Sequence, residues 1–224
     1  FPYTTLFRSV IIGSGFIGLE FAATYAQFGT KVTVIDVIDT FLPREDEDVA
    51  QAVKEQLEAL GVTFNLGVQL KAVHQEGGKA VVEATTAEGA PVAFTTDAVL
   101  VATGRRANVQ GLDLDKAGVE LTERGAIKVN EFLQTNVPHI FAMGDVNGGP
   151  QFTFVSLDDF RIVKRFLAGD TTYSTKQRAK FPTATFINPP LASVGLNEKQ
   201  AKEAGVEVKV AKLPAMAIPK AKIL

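Results

Sequence analysis

The stretch Gly13-Ser14-Gly15-Phe16-Ile17-Gly18 constrains this chain more than any other, because of what stands on either side of it. Val10-Ile11-Ile12, a short β-branched run, enters it directly, and Leu19 to Phe28 follows with helical spacing up to Gly29. That order reads as strand, tight turn and helix. Lys31-Val32-Thr33-Val34-Ile35 supplies a second strand, and Asp36 stands at its carboxyl end, 23 positions after Gly13. The three glycines have separate tasks in such a βαβ unit: Gly13 permits the turn, Gly15 lets the backbone approach a pyrophosphate, and Gly18 lets helix pack on strand. The helix start then offers unpaired amides and a positive dipole end to the phosphates. Asp36 is placed to accept hydrogen bonds from ribose hydroxyls, whereas a 2'-phosphate would meet its carboxylate, so the pattern favours NAD(H) over NADP(H). Arg44, the nearest downstream cation, lies further along a loop.

Glu45-Asp46-Glu47-Asp48 precede Val49, Val53, Leu57 and Leu60, an amphipathic helix with its acids at the positive end and Gly61 as its stop. The acidic run reads as a solvated helix start and not as a metal site. Segments 62–64, 68–73, 79–85 and 91–95 alternate as short strands separated by Gly77-Gly78 and Gly89, and Ala98 to Ala102 reads as a buried strand leading into Thr103-Gly104-Arg105. The expected fold is α/β, a Rossmann-type parallel sheet carrying a β-meander. Tyr25 and Phe28 are at helical spacing and are expected to pack on that sheet.

Composition narrows the partners. The chain has 224 residues, 46% hydrophobic and 21% charged, which is enough apolar material for a core. A net charge of -2 argues against binding nucleic acid or an anionic membrane and leaves a small molecule as the default partner. No apolar run approaches the roughly 18–20 residues that span a bilayer, so a soluble, cytoplasmic protein is expected. With no cysteine and two separated histidines, His74 and His139, these residues contain no disulfide, zinc cluster or cysteine nucleophile. Both histidines read as structural or solvent-facing, and no catalytic residue or metal ligand is assigned. Phe1 to Ser9 lacks the basic start and long apolar stretch of a signal peptide. It resembles the translation of a common sequencing-adapter oligonucleotide, and residues 1–9 are read as a non-native tail.

Three separated motifs resemble the class I pyridine-nucleotide-disulfide oxidoreductases, the family of dihydrolipoamide dehydrogenase, glutathione reductase and mercuric reductase. The first is the run from Ile11 to Ala22, whose Glu20 matches a family glutamate near the nicotinamide. The second runs from Leu100 to Asn108, where Gly104 matches a glycine beside the bound dinucleotide. The third, Thr135 to Val146, resembles the family's second flavin-contact motif, in which Asp145 would bind the ribityl chain of FAD. The resemblance also implies dinucleotide contacts at Phe16, Ile17 and Leu70. Gln151-Phe152-Thr153 would open a helix whose amides lie beside the flavin ring, where the dipole favours negative charge on the reduced ring. The wording from Phe154 to Arg161 leans toward the bacterial branch near mercuric reductase and the reactive-chlorine-resistance oxidoreductases. Asp158-Asp159 is expected on the helix surface.

The resemblance implies an NAD(H)-binding domain over residues 10–105, a central FAD-contact segment over 106–178 and the truncated start of an α+β dimerisation domain over 179–224. The family's first FAD motif, its redox cysteine pair and its C-terminal His-Pro-Thr segment are not in this sequence, so a fragment of a homodimeric enzyme is expected. Such a fragment would bind NADH without turnover. The rival expectation is a non-catalytic FAD/NAD-binding protein that senses redox state. A simple dehydrogenase would leave Gly144-Asp145 unexplained, and the segment from Phe181 argues against a ferredoxin or NADH reductase of related fold.

Overall fold

A computed structural model describes residues 7–219; most of the nine-residue tail and the final Lys222-Ile223-Leu224 lie outside the described residues. The chain forms two compact units, one of residues up to Thr103 together with those from Pro182 on, the other of Gly104–Phe181.

The first unit is built on a parallel sheet in the order β3-β2-β1-β7, with β1 Arg8–Ile12, β2 Lys31–Ile35, β3 Thr63–Asn65 and β7 Ala98–Val101. Side chains alternate across a strand, so an unbroken apolar run such as Val10-Ile11-Ile12 needs cover on both faces. It has it. Ile11 belongs to a cluster with Leu19, Ala22, Val34, Val53 and Leu57, contributed largely by helices α1 (Phe16–Gln27) and α2 (Glu47–Ala59). Val10 and Ile12 pack with Ile35 and Val82, with Phe94 and Val99 against them. Val82 and Phe94 come from the antiparallel meander β4 (Gln69–Glu76), β5 (Lys79–Thr85) and β6 (Pro91–Thr96). The expected excursion is therefore the cover for one face of the parallel sheet.

The first strand starts two residues before the expected Val10. Arg8 and Ser9 pair with Lys31 and Val32, and the Arg8 carbonyl accepts the Thr96 hydroxyl at 2.8 Å and the Asp97 amide at 3.0 Å. Backbone pairing extends a strand whatever its side chains. Tyr25 packs against the helix-side cluster as expected and stacks on Phe21 at 5.7 Å. Phe28 does not: it follows the last helical residue, caps the helix, and is 65% exposed.

From Pro182 on, the chain forms a hairpin of β8 (Thr183–Thr185) and β9 (Leu191–Ser193), then α4 (Glu198–Glu203) with an Asn197/Gln200 capping box. Ile187 joins the helix-side core, which docks this segment on the first hundred residues. The acidic run ahead of α2 is not merely solvated, since the Asp46 carboxylate accepts the Glu198 and Lys199 amides at 3.0 and 3.2 Å.

The second unit has little regular structure beyond a 3-10 turn, Gly144–Asn147, and α3, Thr153–Leu167. The buried stripe of α3 is Val155, Asp159, Ile162 and Val163, the spacing of one helix face. Asp159 is 2% exposed, which corrects the expectation that Asp158-Asp159 lies on the surface.

Candidate functional site

Gly13 takes φ +110, and its amide donates to the Ile35 carbonyl at 2.8 Å. A Cβ there would come within 2.5 Å of the Ala102 carbonyl oxygen, and one on Gly18 within 2.1 Å of the Gly13 oxygen. The fold itself therefore demands these two glycines. Gly15 differs: it sits at φ -71, ψ 172, which any residue adopts, and none of the described residues comes within 4 Å of an added Cβ. It opens α1 with no side-chain cap and no acid in the first turn, and Phe16 and Ile17 are each 43% exposed. The turn is thus an open cradle in front of uncapped helix amides.

Asp36 closes one side of this cradle. Its Oδ2 accepts the Ser14 amide at 2.6 Å and the Ser14 hydroxyl at 2.8 Å, and its Oδ1 accepts the Ile38 amide at 3.1 Å. Arg44 is exposed, and its carbonyl accepts the Asn197 side-chain amide at 2.7 Å. Glu20, on α1, accepts the Phe186 amide at 2.9 Å, so its carboxylate is tied to the chain just after β8. Leu70 lies on β4 at a shift of register, 40% exposed. Gly13, Gly15, Phe16, Ile17, Gly18, Glu20 and Asp36 therefore share the turn, α1 and the end of β2, while Leu70 belongs to the meander.

In the second unit Gly104 takes φ +126, and the next residue, Arg105, reaches two of the expected flavin-contact positions. Its guanidinium lies 3.3 Å from the Asp145 carboxylate, both half-exposed, and donates to the Gln151 carbonyl at 3.3 Å. Gln151 is half-buried, Phe152 is the N-cap of α3, and Thr153 is its first residue. Like α1, α3 starts with no side-chain cap and no acid in its first turn. Gly144, at φ +73, could not carry a side chain without meeting the Ser156 hydroxyl at 2.9 Å.

Beneath that turn lies a polar network that sequence reasoning missed. Asp159 Oδ2 accepts the Gly144 amide at 2.8 Å and the Asn147 side-chain amide at 3.0 Å. Arg178 donates to Asp159 and, at 2.7 Å, to Asp158, which also accepts the Tyr173 hydroxyl at 3.0 Å. Burial would lower the Arg178 pKa, but the hydrogen bonds to the two aspartates outweigh it and hold it above the ordinary guanidinium value. Burial, and then the bond to Asp158, raises the Tyr173 phenol. The signal available in the sequence was Asp159 at a buried-stripe position of α3.

A parallel βαβ sheet with an open glycine turn, followed by a glycine-aspartate turn feeding a second uncapped helix, is an arrangement for holding dinucleotides. Residues 4–159 match the family described as pyridine nucleotide-disulphide oxidoreductase, and residues 181–224 match its dimerisation domain; the chain belongs to this family. Among its relatives, the probable pyridine nucleotide-disulfide oxidoreductase RclA of Escherichia coli is 41% identical over 214 residues, covering 96% of this chain and 47% of its own length. A dihydrolipoyl dehydrogenase of Mycobacterium tuberculosis is 39% identical (96% and 46%), and a mercuric reductase of Staphylococcus aureus 37% identical (96% and 39%). The solved structure of the HOCl-induced flavoprotein disulfide reductase RclA from E. coli superposes with a TM-score of 0.89 at 39% identity, over 96% of this chain and 48% of that one. The chain thus spans about half the length of the curated relatives it matches. Among the described residues no helix is long and apolar enough to cross a membrane, and no group of three His, Cys, Asp or Glu could hold a metal ion.

Proposed function

We propose that this chain is the nicotinamide-nucleotide-binding and flavin-contact portion of a cytoplasmic, homodimeric FAD-dependent oxidoreductase that takes hydride from NAD(P)H, with NAD(H) preferred, and delivers electrons to a disulfide or metal-ion acceptor. The observation that carries the reading is Gly15: among the described residues nothing requires a glycine there, so a ligand against the turn is its physical explanation. In this reading the pyrophosphate sits on the amides of Phe16 and Ile17, Asp36 takes the adenosine ribose, and Gly104, Glu20 and Leu70 contact the rest of the dinucleotide. Asp145 binds the ribityl chain of FAD, for which it exchanges its exposed pairing with Arg105, and the amides opened by Gln151, Phe152 and Thr153 face the flavin ring. The bound nicotinamide and flavin supply the hydride donor and acceptor; this chain's own residues bind and orient them.

The chain by itself is expected to bind NADH without oxidising it. Fluorescence titration of the purified chain with NADH, alongside an assay of NADH oxidation with a small disulfide, tests both halves of that statement. The rival reading is a non-catalytic FAD/NAD-binding redox sensor, in which the same nucleotide-binding fold would serve without redox cysteines. A cysteine pair encoded upstream in the same gene decides for the enzyme.

A further inference from the structure

We infer that Ser14 is a specificity-determining positioning residue: by fixing the Asp36 carboxylate, it sets the discrimination between NADH and NADPH. The inference rests on the dinucleotide reading above and deepens it. Ser14 lies between the two turn glycines and is only 6% exposed. Its hydroxyl and amide both end on Asp36 Oδ2, at 2.8 and 2.6 Å, across 22 residues of chain, while the Ile38 amide takes Oδ1 at 3.1 Å.

A carboxylate offers about four acceptor positions. Among the described residues three donors fill such positions, two on Oδ2 and one on Oδ1, which leaves an acceptor position on Oδ1. A ribose hydroxyl can donate to that position. A 2'-phosphate, largely without protons at neutral pH, brings like charge to a carboxylate that its three donors keep from turning away. The discrimination therefore depends on immobility as well as charge, and the Ser14 hydroxyl is the one side-chain group among the three donors.

The test measures dissociation constants for NADH and NADPH on the wild-type chain, Ser14→Ala, Asp36→Ala and the double variant, with melting temperatures alongside. Removing one hydrogen bond to a charged group predicts NADH binding weakened about tenfold in Ser14→Ala. NADPH should be unchanged or tighter, so that the NADPH-to-NADH ratio narrows. In the Asp36→Ala background the same substitution should leave both constants unchanged, since Ser14 acts through Asp36. A melting temperature that falls without a change in the ratio means a merely structural serine and overturns the inference. So does an equal loss of NADH affinity with and without Asp36. Wild-type chain that binds neither nucleotide would instead sink the dinucleotide reading on which the inference stands.

Discussion

The glycines of the turn separate what the fold requires from what a ligand requires. A methyl on Gly18 would sit 2.1 Å from backbone that cannot move without opening the β1–α1 turn, so Gly18→Ala should cost about 1–3 kcal/mol or more and lower the melting temperature by several degrees. Gly15→Ala meets open space at an ordinary φ and should leave stability within about 0.5 kcal/mol while weakening NADH at least tenfold. Thermal melts and a nucleotide titration on the two variants check this, and equal stability loss in both would contradict it. Tyr173 makes a pH-dependent prediction. Its raised pKa means the folded state favours the neutral phenol, so its contribution is fully present below the ordinary value of 10.0 and is lost as pH rises through the raised one. Above pH 10 the wild-type melting temperature should therefore fall more steeply than that of Tyr173→Phe. At this scale the sequence was readable where a residue's role is local. The steric demand at Gly13 and Gly18 and the place of Asp36 at the end of β2 follow from spacing along one βαβ unit. The Ser14 clamp does not, because serine at that position has no signature until the end of β2 folds back beside it.

Among the elements, α3 carries the largest departure from the sequence reading. Its apolar residues mark the buried stripe, yet Asp159 occupies a position on that stripe, and its partner Arg178 comes from 19 residues further on. Nothing in the spacing of the helix foretells a guanidinium arriving from a later loop. Leaving a buried carboxylate without its partner is costly, so Arg178→Met should destabilise the chain by about 3–5 kcal/mol. Because Asp159 also holds the Gly144 amide, hydrogen exchange at Gly144 should quicken in that variant before global unfolding, as read by mass spectrometry or NMR. An unchanged exchange rate would show that the turn stands without the network. The strands were more legible. The strand order announced a parallel sheet, the unbroken run Val10-Ile11-Ile12 in β1 fits one covered on both faces, and alternating runs announced the meander. What the runs could not announce is that β5 and β6 supply cover for one face through Val82 and Phe94, or that Ile187 joins the cluster that holds Ile11.

At the scale of the whole molecule, the family is legible because its motifs recur in order, and the relatives of about twice this length supply the context. The parts of chemistry that would need a thiol are outside a sequence with no cysteine. Binding and orientation are therefore the tasks proposed for this chain, and NADH is expected to associate with it while a disulfide acceptor leaves the NADH unoxidised. Calorimetric titration of NADH into the purified chain tests the central claim most directly. The predicted result is saturable binding at one site per chain, weakened at least tenfold by Gly15→Ala with no loss of melting temperature. A wild-type chain that remains folded and shows no saturable NADH binding would contradict the account.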